Sequence, residues 1–285
     1  MSIFMDKVKS FIDENDYNVH HFSAIINGEA ENIHSIRRSN PCQNSYSMAK
    51  AFVVTAIGML YDKGLLSTDE KVTDILKDYL PADMDERWNL TTVHMALKHK
   101  IGLPGGFLDI DCIDANEFGY DYLSYMLSHP LAYTPGEGSK YTDGAYYLLG
   151  RIVEEKSGMS LTQFMWRELF FGIGAREIAW SECPMGHAMG ATGLYIRSED
   201  AVKLGQIYLE GGTYKGKRYL SENWVNTVLE KEYELHKTGC GLSYGKGGMR
   251  GQMLLVVPEK NMSVAWHACM SSEIKKDIIE LCYED

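Results

Sequence analysis

Ser47 and Lys50 stand three residues apart in "NSYSMAKAFVVTAIGMLYDKG", residues 44–64, where a long apolar run begins. At this spacing a hydroxyl and an amine share one face of a helix. Together they have the chemistry of a nucleophile and its base. A serine at a helix start lies beside unpaired N–H groups and the positive dipole end, which favour an alkoxide and an oxyanion. The following "AFVVTAIGML" would desolvate Lys50 and lower its pKa, as a base requires. The same residues also suit a plainer role, a serine cap followed by a lysine that snorkels to solvent. Ser-x-x-Lys recurs at Ser243/Lys246 and Ser272/Lys275. Ser272/Lys275 falls on an amphipathic, charged terminal helix. Ser243/Lys246 flanks Tyr244-Gly245 at an expected strand turn, where three residues do not bring two side chains together.

A serine hydrolase must also protonate its leaving group, and one lysine seldom manages both transfers. Tyr141 is the candidate. In "PGEGSKYTDGAYYLLGRIVEEKSG" it follows the Pro135-Gly136 turn and precedes a helix. The chain has 18 tyrosines, so packing is the competing role. Asp143, two residues on, reads also as a helix N-cap. His99 could border a cleft or be structural, and Tyr46, Phe107, Trp180 and Tyr195 are candidate pocket aromatics.

These groups need elements to hold them. "VHHFSAIINGEAENIHSIRR" reads as a hairpin turning at Gly28, with Ile33 and Ile36 on its second strand. A helix over about 47–63 stops at Gly64. Residues 65–175 carry helical patterns: a Thr-capped "TTVHMALKHKIG", a helix from near Asp143 to Gly158, and a second one capped by Ser160 or Thr162. "SEDAVKLGQIYLEGG" and "SENWVNTVLEKE" open at Ser198 and Ser221. "TGCGLSYG" and "MRGQMLLVVPEKNMSVAWHA" read as three strands, the last two joined at Pro258-Glu259-Lys260-Asn261. A final helix covers "SSEIKKDIIELCYE". The fold class expected is α/β (α+β): an antiparallel sheet from both ends of the chain, flanked by helices, with an all-helical insert. Residues 1–64 and 176–285 would form the sheet domain and 65–175 the helical one, with the active-site cleft between them.

The 285 residues carry a net charge of −11 and no Lys/Arg-rich run, which argues against a nucleic-acid partner. No apolar run reaches a membrane span, and the acidic, helix-patterned start lacks a signal peptide's apolar core. A cytoplasmic location is therefore expected. The 6 cysteines lack C-x-x-C spacing and read as free thiols. There is no H-E-x-x-H, and the adjacent His20 and His21 would point to opposite faces of a strand. No metal and no cofactor are expected.

The order of these parts resembles the penicillin-binding-protein-like serine hydrolases. That group includes class C β-lactamases, D-Ala-D-Ala carboxypeptidases, β-lactamase-fold esterases and 6-aminohexanoate-dimer hydrolase. The resemblance rests on "SYSMAKAFVVTAIGMLYDKGLLSTDEKV", "ALKHKIGLPG", "YTDGAYYLLGRIVEEKSGMS", "GATGLYIRSEDAVKLGQIYLEGGTYKGKRYLSENWV" and "GGMRGQMLLVVPEKNMSVAW", in that order. It implies Ser47 as nucleophile, Lys50 as its base and Tyr141 as the proton shuttle. Asp143 stands where the family commonly has Asn, which can donate to a substrate carbonyl; an ionised Asp cannot. The family's third box, Lys-Thr-Gly or His-Thr-Gly, corresponds by position to Lys246-Gly247-Gly248, ahead of "QMLLVVPEKN". The literal Lys237-Thr238-Gly239 lies one strand earlier. The N–H groups of Ser47 and Met249 would then form the oxyanion hole. The missing box-three hydroxyl and Asp143 both weigh against β-lactams. The activity implied is a serine hydrolase of a small-molecule ester or amide. A β-lactamase or D-Ala-D-Ala peptidase is the alternative, and a non-turnover binding or sensor protein is the reading from another class.

Overall fold

The computed structural model describes residues 3–33, 39–270 and 274–283. Ile36 of the expected hairpin and Ser272 of the third Ser-x-x-Lys lie outside them. The chain forms two compact units, one of Met1–Phe52, Leu169–Ala179 and Leu194–Asp285, the other of Val53–Glu168 and Trp180–Gly193. Among the described residues no helix is long and apolar enough to cross a membrane.

The first unit is built on a six-stranded antiparallel sheet. Its strands are β1 (Val19–Ile26), β2 (Glu29–Ile33), β5 (His236–Lys237), β6 (Tyr244–Gly247), β7 (Met253–Val257) and β8 (Met262–Ala268), in the order β2-β1-β8-β7-β6-β5. The short β3 (Cys42–Asn44) and β4 (Leu194–Arg197) pair separately. The fold is thus mixed α/β, with an antiparallel sheet drawn from both ends of the chain. Asn27 and Gly28 turn the first hairpin, both at positive φ, as Asn-Gly does in a two-residue loop. β1 pairs with β8 from Val19↔Ala268 to Ile26↔Met262. Every residue of β7 and β8 is buried, including the polar Ser263 and His267 of β8.

One sheet face packs helices α1 (Ile3–Glu14) and the last helix, Ile274–Leu281, around Met5, Val8, Ile12, Phe22, Trp266 and Ile278. Phe22 and Trp266 stack at 5.8 Å, each burying a side chain worth roughly 1.5–3 kcal/mol. The other face carries the helix Ser198–Leu209, where Gly205 allows close approach: a Cβ there would lie 3.0 Å from Ser263 Cβ.

Helix α2 (Ala49–Asp62) is buried along nearly its whole length, as expected of a helix apolar on all sides. The second unit adds α3 (Asp143–Ser157) and the short helices Val93–Leu97, Tyr122–Ser128 and Leu161–Met165. Thr92, Ser160 and Gly158 cap as read, Ser160 in a capping box with Gln163.

Three local expectations are corrected. Ser47 is not a helix cap: it sits in a 3₁₀ turn, Tyr46–Met48, that feeds α2. Asp143 is not the N-cap of α3; Thr142 is, accepting from Gly144 N–H. Residues 239–243 form a turn rather than a strand, because Gly239 and Gly241 have positive φ and Ser243 bonds back to Cys240 O. The strand starts only at Tyr244, so Lys246 lies within it and not at a turn.

Candidate active site

The serine and lysine that open α2 meet. Lys50 Nζ donates to Ser47 Oγ at 3.1 Å, and Lys50 is fully buried. Tyr46, just before Ser47, has φ 47°, a left-handed conformation uncommon for non-glycine residues. Asn44 Oδ1 accepts from Tyr46 N–H at 2.8 Å and steadies that bend. Ser45 O accepts from Met48 N–H at 3.1 Å. The turn thus holds Ser47 by its backbone, with strain concentrated beside the candidate nucleophile.

The β6 strand ends against the same turn. A Cβ on Gly248 would stand 2.2 Å from Ser45 O, so only glycine lets the two backbones approach this closely. Arg250 lies over the Tyr46 ring at 5.9 Å. Gly247 closes β6, and Met249, which follows Gly248, is 39% exposed. Lys246 is buried and forms an ion pair with Glu234, itself buried. Lys237 lies on the edge strand β5 and is exposed.

Tyr141 and Asp143 belong to the second unit. Tyr141 O accepts from Gly106 N–H at 2.9 Å. Its ring lies 4.5 Å from that of His99, whose Nδ1 accepts from Thr142 N–H at 3.3 Å. That bond gives His99 an acceptor nitrogen and marks it as support for the Tyr141 loop. The Tyr141 side chain is 47% exposed above this base. Asp143 is buried at the first turn of α3, where the helix dipole favours a carboxylate. Its carboxylate lies with those of Asp109 and Asp111, their oxygens within 4.8 Å of one another. Thr192 Oγ1 donates to Asp111 at 2.5 Å.

Of the candidate pocket aromatics, Phe107 packs on Tyr125 and His129, and Trp180 Nε1 donates to Thr192 O. Tyr195 is 40% exposed. Sequence reasoning missed Glu234. In "LEKEYELHK" nothing sets it apart from Glu230 or Glu232, since its burial follows from backbone bends that spacing does not reveal. Asn44 was also missed, although a side-chain acceptor two residues ahead of a turn is a recognisable local signal.

The Beta-lactamase family model matches residues 42–269, and the chain belongs to that family. It is similar to penicillin-binding protein 4* of Bacillus subtilis (strain 168), 30% identical over 139 residues, 46% of this chain and 29% of that one. It is also similar to esterase EstB of Burkholderia gladioli, 32% identical over 127 residues, 40% of this chain and 32% of that one. The chain spans about a third of the length of these curated relatives. A penicillin-binding protein homologue from Caulobacter crescentus superposes with a TM-score of 0.75 at 15% identity, covering 99% of this chain and 96% of that one; it shares the fold.

Proposed function

We propose that the chain is a serine hydrolase that acts through an acyl-enzyme on an ester or small amide. The observation that carries the reading is the 3.1 Å contact between Lys50 Nζ and Ser47 Oγ, with the lysine fully buried. As the base, Lys50 would take up the Ser47 proton in its neutral form. In this mechanism Ser47 Oγ bonds to the substrate carbonyl carbon as its proton passes to Lys50. The N–H groups of Ser47 and Met249 hold the oxyanion. The bond to the leaving group then breaks, and Tyr141 or Lys50 supplies the proton that group needs. Water attacks the acyl-enzyme and restores Ser47. Lys246, Gly247, Gly248 and Asp143 are assigned to substrate binding.

An ester or neutral amide is favoured over a β-lactam because Gly247 leaves the third box without a hydroxyl and Asp143 replaces an amide donor. The similarity to an esterase supports the same choice. The test is Ser47→Ala with p-nitrophenyl butyrate. Hydrolysis is expected to fall to the buffer rate, and an acyl adduct seen by intact mass on the wild type is expected to vanish. Undiminished hydrolysis by Ser47→Ala refutes the reading.

A further inference from the structure

Lys246 presents a problem of charge. Its strand ends at the next residue, Gly247, and Gly248 then lies against the turn that bears Ser47. A bare ammonium there would draw anionic substrates toward the nucleophile. Yet its side chain is only 7% exposed and is ion-paired with Glu234, whose side chain is 1% exposed. His236 Nε2 lies 3.6 Å from the same Glu234 oxygen, beyond hydrogen-bond reach, and its ring is half exposed. Lys246 therefore has the nearer claim.

Glu234 is delivered by unusual backbone. The helix Glu222–Lys231 ends at Glu232 with φ 53°, and Glu234 follows at φ 62°. Tyr233 between them is buried against Trp224, with ring centroids 6.1 Å apart. Two left-handed non-glycine residues so close together are held only where the surroundings over-determine them. Here the result is a carboxylate turned inward onto Lys246.

We propose that Glu234 cancels the charge of Lys246 and so sets the specificity of the Ser47 site for substrates uncharged beside the scissile carbonyl. This rests on the serine-hydrolase reading above. A substrate carboxylate reaching Lys246 would have to displace Glu234 and leave a buried carboxylate without its cation. The site thus selects by penalty as well as by fit.

The test uses Glu234→Gln with two p-nitrophenyl esters, the neutral butyrate and the anionic glutarate monoester. Selectivity for the anionic ester is expected to rise about 10-fold in Glu234→Gln and to return in Glu234→Gln/Lys246→Met. A purely structural role would lower both esters alike, and that result overturns the proposal. A second arm needs no catalysis: thermal stabilisation by glutarate against neutral glutaramide. Glutarate is expected to stabilise Glu234→Gln more than glutaramide does, and to show no advantage on the wild type. A glutarate advantage on the wild type overturns the proposal, and this holds even if the variant does not fold. If the wild type hydrolyses neither ester, the serine-hydrolase reading fails and the glutarate arm alone decides the role of Glu234.

Discussion

Gly248→Ala isolates the approach of strand to nucleophile turn. Gly248 has an extended backbone, φ −109° and ψ 167°, which any residue can adopt. The added methyl therefore acts through space alone. Its carbon would sit 2.2 Å from Ser45 O, with Gln252 Cβ at 3.0 Å on its other side. Ser45 O is tied to Met48 N–H within the turn, so it cannot swing away freely. Ordinary contact begins near 3.4 Å, so strand and turn must part by about 1 Å. Overpacking of this kind costs about 1–3 kcal/mol. A misplacement of about 1 Å between nucleophile and substrate strand lowers kcat/KM by about 10²-fold. The assay pairs hydrolysis of p-nitrophenyl butyrate with a thermal melt. Gly28→Ala is the control: its φ of 80° makes the variant strained, but nothing lies within 4 Å of the new carbon. It is expected to lose about 1–2 kcal/mol of stability and to keep its kcat/KM. The reasoning is refuted if Gly248→Ala keeps kcat/KM within about two-fold of wild type. Equal activity losses in both variants would refute it as well.

Two other perturbations separate chemistry from scaffold. Tyr141→Phe removes a hydroxyl from a side chain that is 47% exposed, so stability is expected to change by less than about 0.5 kcal/mol while kcat falls about 10²–10⁴-fold; denaturant melts beside kinetics check this. The Arg87 guanidinium holds the Asp85 carboxyl down, from 3.8 to about 2. Because the folded value is the lower one, the stabilisation is complete above 3.8 and is lost as pH falls through about 2. In acid melts the stability gap between wild type and Asp85→Asn is expected to close over that window, and a gap constant across it refutes the assignment.

The elements were legible where one local signal sufficed. Gly28 wrote its hairpin turn, Ser160 and Thr162 together marked a helix start that Ser160 caps, and the unbroken apolar run after Lys50 wrote a buried helix. Legibility failed where three-dimensional context chose among equivalent local options. Ser47 has the composition of a cap but sits in a 3₁₀ turn, because the left-handed Tyr46 starts the turn one residue early. Asp143 lost the capping position to Thr142, its equally suitable neighbour. "TGCGLSYG" reads as a strand throughout, yet two glycines at positive φ turn residues 239–243 and leave only its end in β6. At the candidate site the pairing of Ser47 with Lys50 followed from spacing on a helix. The partner of Lys246 did not, because it arrives from a separate segment through two bends that no periodicity encodes.

The central position of β8 between β1 and β7 has a consequence for how the chain is made. β1 is synthesised well before the strand that covers its inner edge, Met262–Ala268. Between those moments the hairpin β1–β2 presents a row of unsatisfied backbone groups on one side, the kind of edge that recruits other strands. The sheet closes only after a loop of more than 200 residues has been drawn in, a long-range pairing of the kind that slows folding and prolongs the exposure of that edge.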